Sequence, residues 1–168
     1  PATWSDGTLP TDGAQIYIPV GMTLSIDVVI SEAIQTMRID GTLRFDPSVD
    51  TQLRVDTLVG APGSVFEMGT ADAPISSSVT ARVVVADTGA IDRAADPFAL
   101  GRGLVLHGTS RIHGAEKTSW TSAAGQLEAG DTTITLSQTP IGWNIGDTLV
   151  IAGTRTDATG DEVATIAG

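Results

Sequence analysis

Arg111, His113, Lys117 and Trp120 share one short stretch, RIHGAEKTSWT at 111–121, and Trp143 supplies a second indole further on. Arginine and lysine bring positive charge, histidine brings a donor that charges on mild acidification, and an indole offers a flat apolar face. These are the groups that would hold the carboxylates and C–H faces of an acidic sugar polymer. An acidic chain repels such a polymer at long range, but Arg111, His113 and Lys117 can focus opposite charge within a Debye length of about 8 Å. The same residues also fit a plainer arrangement: a histidine bonded at a corner, a solvated lysine, and tryptophans that fill core or cap a coil. Trp4 fits the plug of a first coil, and His107, in GLVLHG, fits a strand end.

Carboxylates are too numerous to single out a catalytic pair. Glycosidase chemistry needs two carboxyls about 5 to 9.5 Å apart, and twenty acidic residues offer many combinations. Asp147 and Glu162 are candidates, although Gly146-Asp147 reads first as a turn. Asp87, Asp92 and Asp96, in ADTGAIDRAADPF, form an oxygen-rich run suited to Ca²⁺, and Asp46, Asp50 and Asp56 form a second such set. Neither follows the EF-hand spacing or the calcium β-roll nonapeptide, so a solvated acidic loop competes with the Ca²⁺ reading, and no other cofactor is expected. Two histidines and no cysteine leave zinc short of ligands. No glycine cluster runs into Lys-Ser or Lys-Thr, and no serine lies in G-x-S-x-G, which sets aside P-loop nucleotide binding and α/β-hydrolase chemistry.

These side chains need a scaffold, and composition bounds it. A chain of 168 residues is long enough for one domain with a real core. Twenty acidic against nine basic residues give a net charge of −11, which argues against nucleic acid as a partner. Only Lys117 is a lysine, and Asp, Thr, Ser and Gly dominate the polar positions, a surface suited to an extracellular setting. No run of about 18 apolar residues occurs, so membrane insertion is not expected. Pro1 opens without a basic and apolar leader, and DEVATIAG at 161–168 reads as a strand just entered. The expectation is therefore a fragment of an exported protein, with its leader outside the sequence.

Short strands predominate. Residues 22–30, 36–45, 52–59, 64–68, 79–86, 103–107, 132–136 and 147–152 are apolar-rich runs bounded by Gly, Pro, Asp or Ser. Across Gly41 the apolar residues Met37, Ile39, Leu43 and Phe45 alternate with Arg38, Asp40, Thr42 and Arg44, which assigns one face to the core. Helical periodicity is weak throughout, and single helical turns are expected at most at 31–34 and 92–100. Such spacing fits a β-sandwich or a β-solenoid. Asp6-Gly7, Asp12-Gly13 and Asp40-Gly41 do not sit between neat strand pairs as hairpin turns would, which favours stacked parallel coils with the nineteen glycines at the bends.

Several of these segments also resemble a known family. Trp4-Ser5, Ile18-Pro-Val-Gly21 leading into Leu24-Ser-Ile-Asp27, Met37-Arg-Ile-Asp-Gly41 before Leu43-Arg-Phe45, and Phe66-Glu-Met-Gly-Thr70 before Pro74 are similar, in that order, to the eight-glycine, or G-eight, domain. The likeness continues through His113-Gly114, Lys117, Ser119-Trp120-Thr121, Gly142-Trp143, Gly146-Asp147 and Val150-Ile-Ala152 to Thr154, as in hyaluronan-processing members of the family. It implies an all-β, right-handed parallel β-helix, with an eight-glycine-type domain at 1–100 and continuing, truncated coils at 101–168, together forming one continuous unit. It also implies an extracellular module of a larger secreted or cell-surface protein, bacterial proteins included, that contributes to recognition of a hyaluronan-like glycan. Arg111, His113, Lys117, Trp120 and Trp143 are the expected glycan contacts.

Catalysis by the module itself is not expected, although the parent may be a polysaccharide hydrolase or lyase, and a structural spacer of an adhesin is a third reading. An uncapped β-helix end would also offer unpaired strand edges for end-to-end self-association.

Overall fold

The computed structural model describes residues 9–91, 93–94, 101–153 and 160–168. Two compact units divide the chain, Pro1–Ala115 and Glu116–Gly168. The protein is all-β: the described residues contain no helix, and so none long and apolar enough to cross a membrane.

The first unit holds β1 (Gln15–Ile18), β2 (Thr23–Ile26), β3 (Ile34–Ile39), β4 (Thr42–Phe45), β5 (Thr51–Gly60), β6 (Val65–Met68), β7 (Ala81–Val85), β8 (Gly103–Leu106) and β9 (Thr109–Ile112). One sheet runs β1-β3-β5-β7, with β8 also on β5, and the other runs β2-β4-β6-β9. Every pairing in both is parallel, and neither sheet closes into a barrel. From β1 to β7 successive strands thus alternate between the sheets, and β8 returns to the first sheet before β9 joins the second, so each hydrogen-bonded neighbour is supplied by a later pass of the chain.

Alternation within each strand builds the core. Met37, Ile39, Leu43 and Phe45 are all buried, as the pattern around Gly41 predicts. Between them, however, the chain turns rather than running on as one strand. Asp40 and Gly41 both donate their N–H groups to the Ile18 carbonyl, at 2.9 and 3.0 Å. A methyl group on Gly41 would run into the carbonyl oxygens of Pro19 and Met22, so the corner needs a residue without Cβ. Parallel pairing then stacks like on like: Leu24, Leu43 and Phe66 are partners in turn, as are Ile26, Phe45 and Met68. Phe45 and Phe66 meet edge to face with centroids 5.9 Å apart. Each such fully buried side chain contributes about 1.5–3 kcal/mol through removal from water.

Besides β3, β5 serves two further partners. Thr51–Val55 pairs with β7, Thr57–Gly60 pairs with β8, and Asp56 lies at the break. Two strands of this unit, β1 and β9, fall outside the runs read as strands. The helical turn expected at 31–34 is not formed: Ile34 opens β3, and the Ala33 N–H is taken by the Asp12 carboxylate at 2.6 Å. The second expected turn, at 92–100, lies outside the described residues apart from 93 and 94.

The second unit holds β10 (Thr148–Ile151) and β11 (Glu162–Thr165), paired antiparallel with Val150 opposite Val163. This departs from the parallel coils expected there, because the connection between the two strands is too short for the crossover that parallel neighbours need. Residues 132–136 form no strand; Leu136 makes a single antiparallel bridge to Ala123. None of the described residues of this unit is buried, so no apolar face imposes a longer strand register on 132–136.

Candidate functional site

The outer face of the β2-β4-β6-β9 sheet carries in-register rows of polar side chains. Ser25, Arg44, Glu67 and Arg111 are successive partners, flanked by a row of three threonines, Thr23, Thr42 and Thr109, interrupted by the apolar Val65. Arg44 Nε lies 2.7 Å from Glu67 Oε1, and Arg111 Nη1 lies 3.6 Å from Glu67 Oε2. The carboxylate is nearly buried, with 9% of its side chain exposed, whereas the two guanidinium side chains are 53% and 47% exposed. Arg44 and Arg111 occupy rungs two strand spacings, about 9.5 Å, apart. One carboxylate between two guanidiniums leaves the row with one net positive charge on a chain that is otherwise strongly acidic.

His113 follows β9 directly and is exposed. Its N–H donates to the Met68 carbonyl at 2.9 Å, and its own carbonyl accepts from Ile75 N at 2.8 Å. Gly69, at φ 75°, admits this approach, since a Cβ there would meet the His113 carbonyl oxygen. Arg111 and His113 therefore leave the same edge strand two residues apart. His107 stands at the end of β8, with its N–H on the Gly60 carbonyl at 2.9 Å.

Lys117, Trp120 and Trp143 belong to the second unit. Lys117 Nζ donates to Asp147 Oδ2 at 2.6 Å, and the same oxygen accepts the Asn144 N–H at 2.9 Å. The Lys117 hydrogen bond and the Asn144 N–H, opposed by partial desolvation, hold the Asp147 carboxyl below the usual aspartate range. The two tryptophans differ. Trp143 is half-buried, with Nε1 donating to the Thr118 carbonyl at 2.7 Å, and Thr118 Oγ1 accepts the Ile141 N–H at 2.8 Å. Trp143 thus ties two segments of this unit together. Trp120 is 76% exposed and leaves its indole face open.

The acidic run proposed for Ca²⁺ is only partly described: Asp92 and Asp96 lie outside the described residues. Asp87 Oδ1 pairs with Arg102 Nη1 at 3.2 Å. Asp56 accepts the Thr88 hydroxyl at 2.6 Å and the Thr57 hydroxyl at 2.9 Å, with Arg102 Nε 3.6 Å away. Desolvation pushes the Asp56 carboxyl up, but the bonds from Thr88 and Thr57 and the Arg102 charge together outweigh it and hold the carboxyl below its ordinary value. Arg102 itself sits at φ 65°. Asp56, Thr88 and Arg102 form a clasp at the point where β5 changes partner. Asp46 is occupied by Ser48, at 2.6 Å to the hydroxyl, and Asp50 by the Thr80 N–H at 2.7 Å. Among the described residues, no cluster of three or more His, Asp or Glu side chains is arranged to hold a metal.

Arg44 and Glu67 were not singled out from the sequence. Their juxtaposition with Arg111 depends on which later pass of the chain pairs with which earlier one, and the alternating pattern around Gly41 shows only that Arg44 faces away from the core.

A family model described as the G8 domain matches residues 3–124. No curated protein and no solved structure matches the chain.

Proposed function

The chain belongs to the G8 domain family, and we propose that it is a noncatalytic extracellular module that helps a larger secreted or surface protein recognise an acidic, hyaluronan-like polysaccharide. In this reading the alternating parallel sheets of the first unit are the opening coils of a right-handed β-helix. The regular pairing of β1 with β3, β3 with β5, β2 with β4 and β4 with β6 supports stacked turns.

The observation that carries the glycan reading is the Arg44–Glu67–Arg111 row. Two half-exposed guanidiniums, held apart at fixed spacing by a shared carboxylate, suit repeating carboxylates along an extended polymer, and the flanking threonines suit its hydroxyls. His113 would add charge at mildly acid pH. In the second unit, the exposed Trp120 indole is the stacking candidate, whereas Trp143 is committed to the Thr118 carbonyl. Asp147, held below its ordinary value by Lys117 and the Asn144 N–H, is not poised as a general acid.

Titration with hyaluronan oligosaccharides, followed by calorimetry and tryptophan fluorescence, tests the proposal. Binding should weaken with added salt and fall about a hundredfold in Arg44→Ala/Arg111→Ala, the loss of two charge-assisted contacts at roughly tenfold each. Trp120→Ala should remove the fluorescence response. Absence of binding would favour a structural spacer, and release of new reducing ends or unsaturated products would favour an enzyme.

A further inference from the structure

On the other sheet, Tyr17 of β1, Arg38 of β3 and Asp40 just beyond it make a second preorganised surface group. Tyr17 and Arg38 are register partners on the outer face. Arg38 grips Asp40 with two bonds, Nε to Oδ1 at 2.9 Å and Nη2 to Oδ2 at 3.2 Å. The Tyr17 hydroxyl donates to the same Asp40 Oδ2 at 3.0 Å, and the guanidinium carbon stands 5.9 Å from the phenol ring centroid. Yet Tyr17 is 57% exposed, and the Arg38 side chain 65%. Among the described residues β1 is the terminal strand of its sheet, so Arg38 flanks Tyr17 on one side and no described strand of that sheet lies on the other.

We propose that Tyr17, Arg38 and Asp40 form a binding platform for neutral saccharides, separate from the Arg44–Glu67–Arg111 row. An exposed ring anchored at both its hydroxyl and its flank loses little freedom when a sugar's C–H face stacks on it. Of the five guanidinium N–H donors of Arg38, the two bound to Asp40 fix its plane, and the others remain to meet a pair of sugar hydroxyls. Charge selects the ligand class. Asp40 cancels Arg38 at contact distance, so a uronate carboxylate gains nothing net from this group, while an uncharged sugar meets a donor edge beside an aromatic face. The other sheet's row retains a net positive charge and suits the opposite class of sugar.

Nuclear magnetic resonance and calorimetric titration of the whole chain with cello-, manno- and chito-oligosaccharides tests this platform. At least one of these neutral ligands should shift the Tyr17, Arg38 and Asp40 resonances. Tyr17→Ala should weaken that binding about tenfold, as expected for loss of a stacked ring, while Tyr17→Phe keeps the ring and stays within a few-fold of the parent. Arg44→Ala/Arg111→Ala should leave neutral-sugar binding unchanged, which separates this platform from the hyaluronan reading. The unfolding midpoint of each variant is measured alongside, because these exposed positions should tolerate substitution. The inference is overturned if no neutral oligosaccharide binds, if Tyr17→Ala binds as the parent does, or if hyaluronan oligosaccharides displace the neutral ligand from Tyr17.

Discussion

Lys117 and Asp147, each a candidate for separate chemistry when read along the chain, are bound to one another at 2.6 Å. The lysine that would meet a glycan carboxylate already holds a carboxylate, and the aspartate that would serve as an acid is stabilised as an anion. Because the folded-state pKa of Asp147 is lowered, the stabilisation it provides is fully present above the unfolded-state value, near 3.9, and is lost as pH falls through the depressed folded value. Carboxyl-detected NMR titration should place the Asp147 midpoint below that of a free aspartate. In Lys117→Ala the midpoint should move up, while the remaining Asn144 N–H bond keeps part of the shift. An unchanged midpoint would show that the pair does not form in solution.

Glu67→Gln should separate stability from binding. The nearly buried carboxylate is the common partner of Arg44 and Arg111, and replacing it with an amide costs about 1.5–3 kcal/mol, the range for a hydrogen bond to a charged group. Urea unfolding should register that loss. The same change raises the net charge of the row by one unit, so affinity for hyaluronan oligosaccharides should increase at low salt and converge with the parent at high salt. A parallel loss of stability and affinity would remove the row from the proposed glycan surface.

Thr51→Val should stabilise the protein. Thr51 is 1% exposed at the head of β5, and its hydroxyl has no hydrogen-bond partner among the described residues. Exchanging a buried, unpaired hydroxyl for a methyl of the same shape removes a desolvation cost of about 1–2 kcal/mol. Thermal and urea midpoints should both rise, with an unchanged urea dependence of the unfolding free energy. A lower midpoint would mean that the hydroxyl has a partner in solution.

Legibility in the sequence followed the range of each interaction. The face assignment of Met37, Ile39, Leu43 and Phe45 needed only the two-residue period, and burial bears it out. The break at Gly41 did not show, because it is set by the carbonyls of Pro19 and Met22 from an earlier turn of chain. β9, with the sequence TSRI, has one strongly apolar residue and becomes a strand through its pairing with β6, so its residues were read for their chemistry alone. Arg44 and Glu67 lacked any local mark of association with Arg111. Trp120 and Trp143 were indistinguishable by type, and the Thr118 carbonyl is what separates a bracing indole from an open one.

The division of β5 between β7 and β8 makes the intervening connection, between Val85 and Gly103, a natural port for engineering. Both ends are pinned by their own ladders on one continuous strand, and the Asp56–Thr88–Arg102 clasp draws the roots together. Foreign loops grafted there would alter the span between fixed anchors without shifting either register, and loop-closure entropy grows only slowly with such added length.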